Sequence, residues 1–150
     1  VLRVYNGRAP LIVELKPVAD NVDALCRRAW EILKDYKGIY CIESFDPRCV
    51  FWFKKNCPDV IRGQLTENFF LSPTSKLPAV LKFAMKAQMF NFLTQPDFVA
   101  YRFKDRRNLS NLLVRYLWGT QGVTWTLTSK EEYDIAIKEG WIPIFEGFRP

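Results

Sequence analysis

The sequence predicts an α/β fold built on a parallel sheet, and three observations carry that prediction. Short apolar runs of strand type alternate with helical patterns of about ten to fifteen residues, the signature of βα units. Each run is punctuated by Pro, Gly, Asn or Asp. The alternation runs through all 150 residues, which read as one domain with at least five strands in right-handed crossovers. Neither G-x-G-x-x-G nor a Walker A sequence is present, which argues against nucleotide-binding folds. A closed (β/α)8 barrel needs ~250 residues. The chain therefore reads either as an open doubly wound sheet or as most of a barrel without its front.

The first strand is Leu11-Ile12-Val13-Glu14-Leu15-Lys16, bounded by Pro10 and Pro17. Apolar residues at Val22, Leu25, Cys26, Ala29, Ile32, Leu33 and Tyr36 predict a helix, with Gly38 suited to a left-handed cap. Ile39 to Phe45 is the second strand. Asp46-Pro47 then offers an N-cap with proline at the first helical position, for a helix through Lys55. Asp59 to Leu65 is a third strand, followed by a loop over Thr66 to Lys76. A single helix is expected from Pro78 to Leu93, then a short strand at Phe98-Val99-Ala100-Tyr101. A charged loop leads to a helix over Asn108 to Trp118, closed by Gly119. Gln121 to Leu127 is a strand. Ser129 with Glu132 forms a capping box for a helix ended by Gly140, and Trp141 to Glu146 is the last strand.

Composition narrows the function classes. The formal net charge of +6 suits an anionic ligand as well as simple solubility. Lys104-Asp105-Arg106-Arg107 is the one dense basic run; it reads as a solvated loop, because no nucleic-acid motif accompanies it. No apolar run is long enough to cross a bilayer, and no signal-peptide layout is seen. The spacing of Cys26, Cys41, Cys49 and Cys57 fits neither a zinc site nor a redox motif, so a reduced, cytoplasmic setting is expected. With no histidine in the chain, a Ser-His-Asp triad, a Cys-His dyad and a histidine zinc ligand are all excluded within it. The chain begins at Val1 close to its first strand, so a longer parent protein is expected.

The candidate site lies at the end of the first strand. Side chains alternate along a strand, so Glu14 and Lys16 share a face. In parallel α/β folds the C-terminal strand ends face the ligand. A carboxylate and an ammonium placed there pair with each other, with a metal or with an anion. A half-solvated ion pair at a strand end is the plain alternative.

Four segments in order resemble one family. Pro10-Leu11-Ile12-Val13-Glu14-Leu15-Lys16 is similar to the apolar-Glu-x-Lys strand of glycerophosphodiester phosphodiesterases. Ile42-Glu43-Ser44-Phe45-Asp46-Pro47 is similar to the family's Ser-Phe-Asp strand end. Pro58 to Leu65 resembles the strand that follows. Val123-Thr124-Trp125-Thr126-Leu127-Thr128 resembles the apolar-x-Trp-Thr-Val-Asn strand, with Thr128 where Asn is usual.

The resemblance implies a partial TIM barrel in which this chain supplies roughly the fourth to eighth βα units. It implies a hydrolase that cleaves a glycerophosphodiester to glycerol 3-phosphate and an alcohol with Mg2+ or Ca2+. Glu14 matches the family's metal ligand, and Lys16 its phosphate-contacting catalytic lysine. Phe45 and Trp125 match aromatics lining the substrate pocket, and each also reads as barrel core. The family's two catalytic histidines and its other metal carboxylates lie in strands before the Glu-x-Lys strand, and none is found here. The ending Ile144-Phe145-Glu146-Gly147-Phe148 replaces the usual apolar-Thr-Asp. As an isolated chain it is therefore expected to be inactive. The competing reading is a non-catalytic binding or interaction module derived from a barrel. In either case, open sheet edges imply a homodimer or pairing with the missing half.

Overall fold

The computed structural model describes residues 1–71 and 77–150. Six strands form one sheet: β1 (Leu11–Glu14), β2 (Tyr40–Ser44), β3 (Arg62–Thr66), β4 (Phe98–Arg102), β5 (Gln121–Leu127) and β6 (Ile142–Phe145). All pairings are parallel, and the spatial order is the chain order, β1 to β6. A doubly wound sheet reverses its strand order at a switch point. This sheet never reverses, and it curls into half a barrel with helices on its outside. The open doubly wound alternative is thereby removed. There are six strands, where the resemblance implied roughly five.

The helices are α1 (Leu2–Tyr5), α2 (Val22–Leu33), α3 (Pro47–Asn56), α4 (Ala79–Lys86), α5 (Asn91–Thr94), α6 (Leu109–Trp118) and α7 (Lys130–Lys138). Asp46 caps α3 by accepting from the Arg48 N–H at 2.9 Å. Ser129 caps α7, with Glu132 N–H donating to its Oγ at 3.3 Å, and the Glu132 carboxylate accepts from Thr128 N–H, one residue before the cap, at 2.9 Å. Gly119 and Gly140 stand at φ 60° and 75°, in the left-handed region that ends a helix without a Cβ penalty.

Several expectations needed correction. Gly38 is not a left-handed cap, because α2 already ends at Leu33. Tyr36, expected on the helix, instead bridges to the segment before β1: its hydroxyl accepts from Gly7 N–H at 3.1 Å. The helix expected over Pro78–Leu93 is two helices. Gln88 turns left-handed at φ 55°, and its buried side chain accepts from Asn91 Nδ2 at 2.9 Å. Apolar periodicity continues through that break, so the pattern alone did not reveal it. The loop expected over Thr66–Lys76 lies partly outside the described residues.

The two faces of the sheet bury different sets. On the helix side, Leu15, Ile42, Cys26, Cys49 and Phe53 pack between β1, β2 and the helices α2 and α3. Val99, Tyr101, Leu127, Ala136 and Trp141 form a second cluster that includes α7. On the concave face, Leu65, Phe98, Ala100 and Val123 pack with Cys41, Phe45, Trp125 and Ile144. Gly63 is required there, since a Cβ would collide with the Phe98 ring. The cysteines are free thiols, with Cys26 and Cys49 fully buried. No helix among the described residues is long and apolar enough to cross a membrane.

Candidate active site

The carboxyl ends of β1 and β2 build the site. After β1, the Leu15 N–H still donates to the Glu43 carbonyl at 2.8 Å, so the pairing continues past the strand's assigned end. Leu15 is buried among the helices. Glu14 and Lys16 consequently take the other face, as alternation requires. Lys16 Nζ lies 3.1 Å from Glu14 Oε2, and the lysine side chain is 76% exposed. The two are a partly solvated pair at the strand end.

Ser44 locks the next loop in place. Its hydroxyl donates to the Leu15 carbonyl at 2.7 Å and accepts from the Asp46 N–H at 3.1 Å. Gln64 Nε2 donates to the carbonyls of Ser44 and Phe45, at 3.0 and 3.1 Å. Phe45 is thereby held at the mouth. It meets Trp125 edge to face at 5.5 Å, and Phe69 at 6.3 Å.

A cavity of about 610 Å3 opens at this mouth. Glu14, Lys16 and Phe45 line it, joined by Asp46 and Arg48 at the start of α3. Its opposite wall is apolar, from Leu81 and Met85 of α4 and from Phe90. Trp125 is not among the lining residues. It stands behind Phe45 with its Nε1–H donating to the Ala100 carbonyl at 3.0 Å. Three of the four candidates thus meet at one cavity, and the fourth supports one of them.

Three further residues have no role assigned from the sequence. Arg48 pairs with Asp46 at 2.8 Å and with Asp20 at 3.3 Å, which brings a second cation to the cavity beside Lys16. Its signal was the Asp-Pro-Arg start of a helix after a strand, which was read only as a cap. Arg102 pairs with Glu67 at 3.2 Å at the end of β4. Glu43 faces Glu14 in the strand register and is 6% exposed. Burial, and then the charge of Glu14, push its carboxyl up to about 7. Its Oε2 has no hydrogen-bond partner among the described residues.

Two residues of the basic run Lys104–Arg107 pair within the chain, while Lys104 and Arg107 stay exposed. Arg106 reaches both carboxylate oxygens of Glu139, at 2.6 and 3.1 Å, and Arg107 joins at 3.0 Å.

The described residues contain no group of three or more His, Cys, Asp or Glu side chains gathered as for a metal ion. Of the carboxylates, Glu14 and the Arg48-paired Asp46 line the cavity, and Glu43, with Oε2 unpartnered among the described residues, stands next to Glu14 on β2. That set fits an ion held through one or two carboxylates with water and substrate oxygens completing the shell, and does not fit an all-protein cage.

No protein-family model and no curated protein matches this chain. Solved structures do. A phosphodiesterase from Oleispira antarctica, in complex with the product sn-glycerol-3-phosphate, superposes with a TM-score of 0.69 over 91% of this chain at 14% identity. The chain has the fold of half a glycerophosphodiester phosphodiesterase barrel. The Parabacteroides distasonis glycerophosphodiester phosphodiesterase gives a TM-score of 0.63 over 91% of the chain at 16% identity. The Agrobacterium tumefaciens enzyme gives 0.54 over 96% at 14% identity. This half-barrel spans 50%, 51% and 55% of those three chains, about half of each.

Proposed function

We propose that this chain is the C-terminal portion of a metal-dependent glycerophosphodiester phosphodiesterase acting on glycerophosphodiesters derived from lipids. The observation that carries this reading is the convergence of Glu14, Lys16 and Phe45 on one cavity at the carboxyl ends of a half-barrel. Barrel enzymes place their chemistry at that end.

In this reading Lys16 sets its ammonium against the phosphate oxygens, where charge develops in the transition state. Arg48, on the same wall, adds a second cation, partly neutralised by Asp46. Glu14 would hold a divalent ion, Mg2+ or Ca2+, and Glu43 on the neighbouring strand is the next carboxylate in register. When bound, that ion polarises the phosphoryl group as a Lewis acid. Phe45, backed by Trp125, offers an apolar wall for the glycerol backbone. The family that the chain resembles uses two histidines as acid and base, and the chain has none, so in this reading those groups come from outside these 150 residues. The open edges of β1 and β6 are where the completing strands, or a second copy, would pair. The four free thiols suit a reduced, cytoplasmic setting.

The test is release of glycerol 3-phosphate from glycerophosphocholine with Mg2+ or Ca2+. It compares this chain with one extended upstream by roughly a hundred residues, the length that a barrel is short of here. Activity in the extended form only, lost on Glu14→Ala, Lys16→Ala or chelation, supports the enzyme reading. Inactivity of both forms transfers support to the barrel-derived binding module, which the lack of histidine favours. Activity of the short chain alone would overturn both.

A further inference from the structure

We propose that α4, α5 and the exposed residues Phe70 and Leu71 form a docking surface for an anionic lipid membrane. The helix α4 has apolar residues on two sides. Leu81 and Met85 line the cavity, whereas Val80 and Phe83 are 82% and 60% exposed. The chain then presents Met89, Phe92 and Leu93 to solvent, Phe92 at 77%. Just after β3, Phe70 and Leu71 are exposed as well. Lys86 Nζ sits 5.7 Å from the centroid of the Phe70 ring and so joins the two groups. Soluble monomers rarely leave contiguous apolar patches beyond a few hundred Å2, and larger ones mark partner or membrane sites.

Charge selects the occupant. From Asn68 to Pro96 the sequence has no Asp or Glu and three lysines, Lys76, Lys82 and Lys86. Lys54 adds another cation beside α5, donating to the Leu93 carbonyl at 2.6 Å. Aromatic and aliphatic side chains mixed with lysine and free of acid are the composition of segments that lie in a bilayer interface. Anionic headgroups supply the missing negative charge. Strands that complete a barrel would add at the open edges, β1 and β6, whereas Val80 and Phe83 of α4 are not among the residues lining the cavity that opens beside β1. A membrane docked here lies against the outer side of the helix that walls the cavity.

The experiment is vesicle flotation of the chain. One set of vesicles is phosphatidylcholine alone, and the other equal parts phosphatidylcholine and phosphatidylglycerol. The expected result is binding to the mixed vesicles at least about tenfold above the neutral ones, weakened by salt. The double variant Phe83→Ser/Phe92→Ser lowers binding about tenfold or more, with an unchanged circular dichroism melt. Lys82→Glu/Lys86→Glu lowers it on mixed vesicles only. No vesicle binding, or binding indifferent to both variants, overturns the proposal. So does a chain that is dimeric by light scattering and becomes monomeric in the Phe83→Ser/Phe92→Ser variant, which would give this face to a second copy.

Discussion

Glu43 stands beside Glu14 in the parallel register of the first two strands, and only one of the two has a cation. Lys16 reaches Glu14 at 3.1 Å, while Glu43 Oε2 has no partner among the described residues. A buried carboxylate without a partner, next to another carboxylate, costs stability. Glu43→Gln is expected to stabilise the fold at neutral pH by about 1 kcal/mol, or a melting temperature about 2–4 °C higher. A differential scanning calorimetry pair reads this directly, and a lower melting temperature would mean that the glutamate is satisfied.

Lys16 is well exposed, so its pair with Glu14 contributes little to folding. Lys16→Ala should change stability by less than about 1 kcal/mol. Urea unfolding curves for the two proteins should nearly coincide. A large shift would make the pair structural and weaken its assignment to chemistry.

Trp125 is tied to β4 through its indole N–H, which donates to the Ala100 carbonyl at 3.0 Å. Trp125→Phe keeps the edge-to-face contact with Phe45 and drops that bond. The expected cost is about 1 kcal/mol, seen as a lower denaturant midpoint at unchanged slope.

Gly63→Ala tests the concave face. The added methyl runs into the Phe98 ring, which packs in the core of the concave face. Overpacking of this kind costs about 1–3 kcal/mol. A midpoint equal to that of the parent would show that the Phe98 ring moves aside freely.

Glu139 sets a pH dependence. The Arg106 guanidinium, and then Arg107, hold its carboxyl well below its usual range, at about 2. A depressed carboxylate binds protons more weakly folded than unfolded, so its contribution is present above the ordinary value of 4.5. That contribution is lost as pH falls from 4.5 through about 2. Glu139→Gln should therefore lose stability at pH 7 and show a flatter loss across that acid window. Equal acid slopes in the two proteins would count against the ion pair.

Much of the fold was legible because local signals agreed with it. Asp46-Pro47, the Ser129 cap, Gly119 and Gly140 each act within one turn of chain, and each does in the structure what its type predicts. The helix over Pro78–Leu93 was misread because its break depends on Gln88 turning inward to Asn91, a polar contact that apolar spacing does not encode. Alternation put Glu14 and Lys16 on one face, yet it could not say that the face was solvated. Exposure depends on which strands and helices close over it.

The sequence by itself determined the βα alternation, the caps, the absence of histidine and the carboxylate–lysine pair at a strand end. Those follow from residue type and short-range spacing. Only the tertiary structure decided between a doubly wound sheet and a half-barrel, because strand order is a matter of long-range pairing. It alone brought Arg48 and α4 to the cavity beside Glu14, put Glu43 next to Glu14, and set Trp125 behind Phe45. Each of those neighbours is at least 29 residues distant in the chain or on another strand, and only strand pairing and the curl of the sheet bring it close.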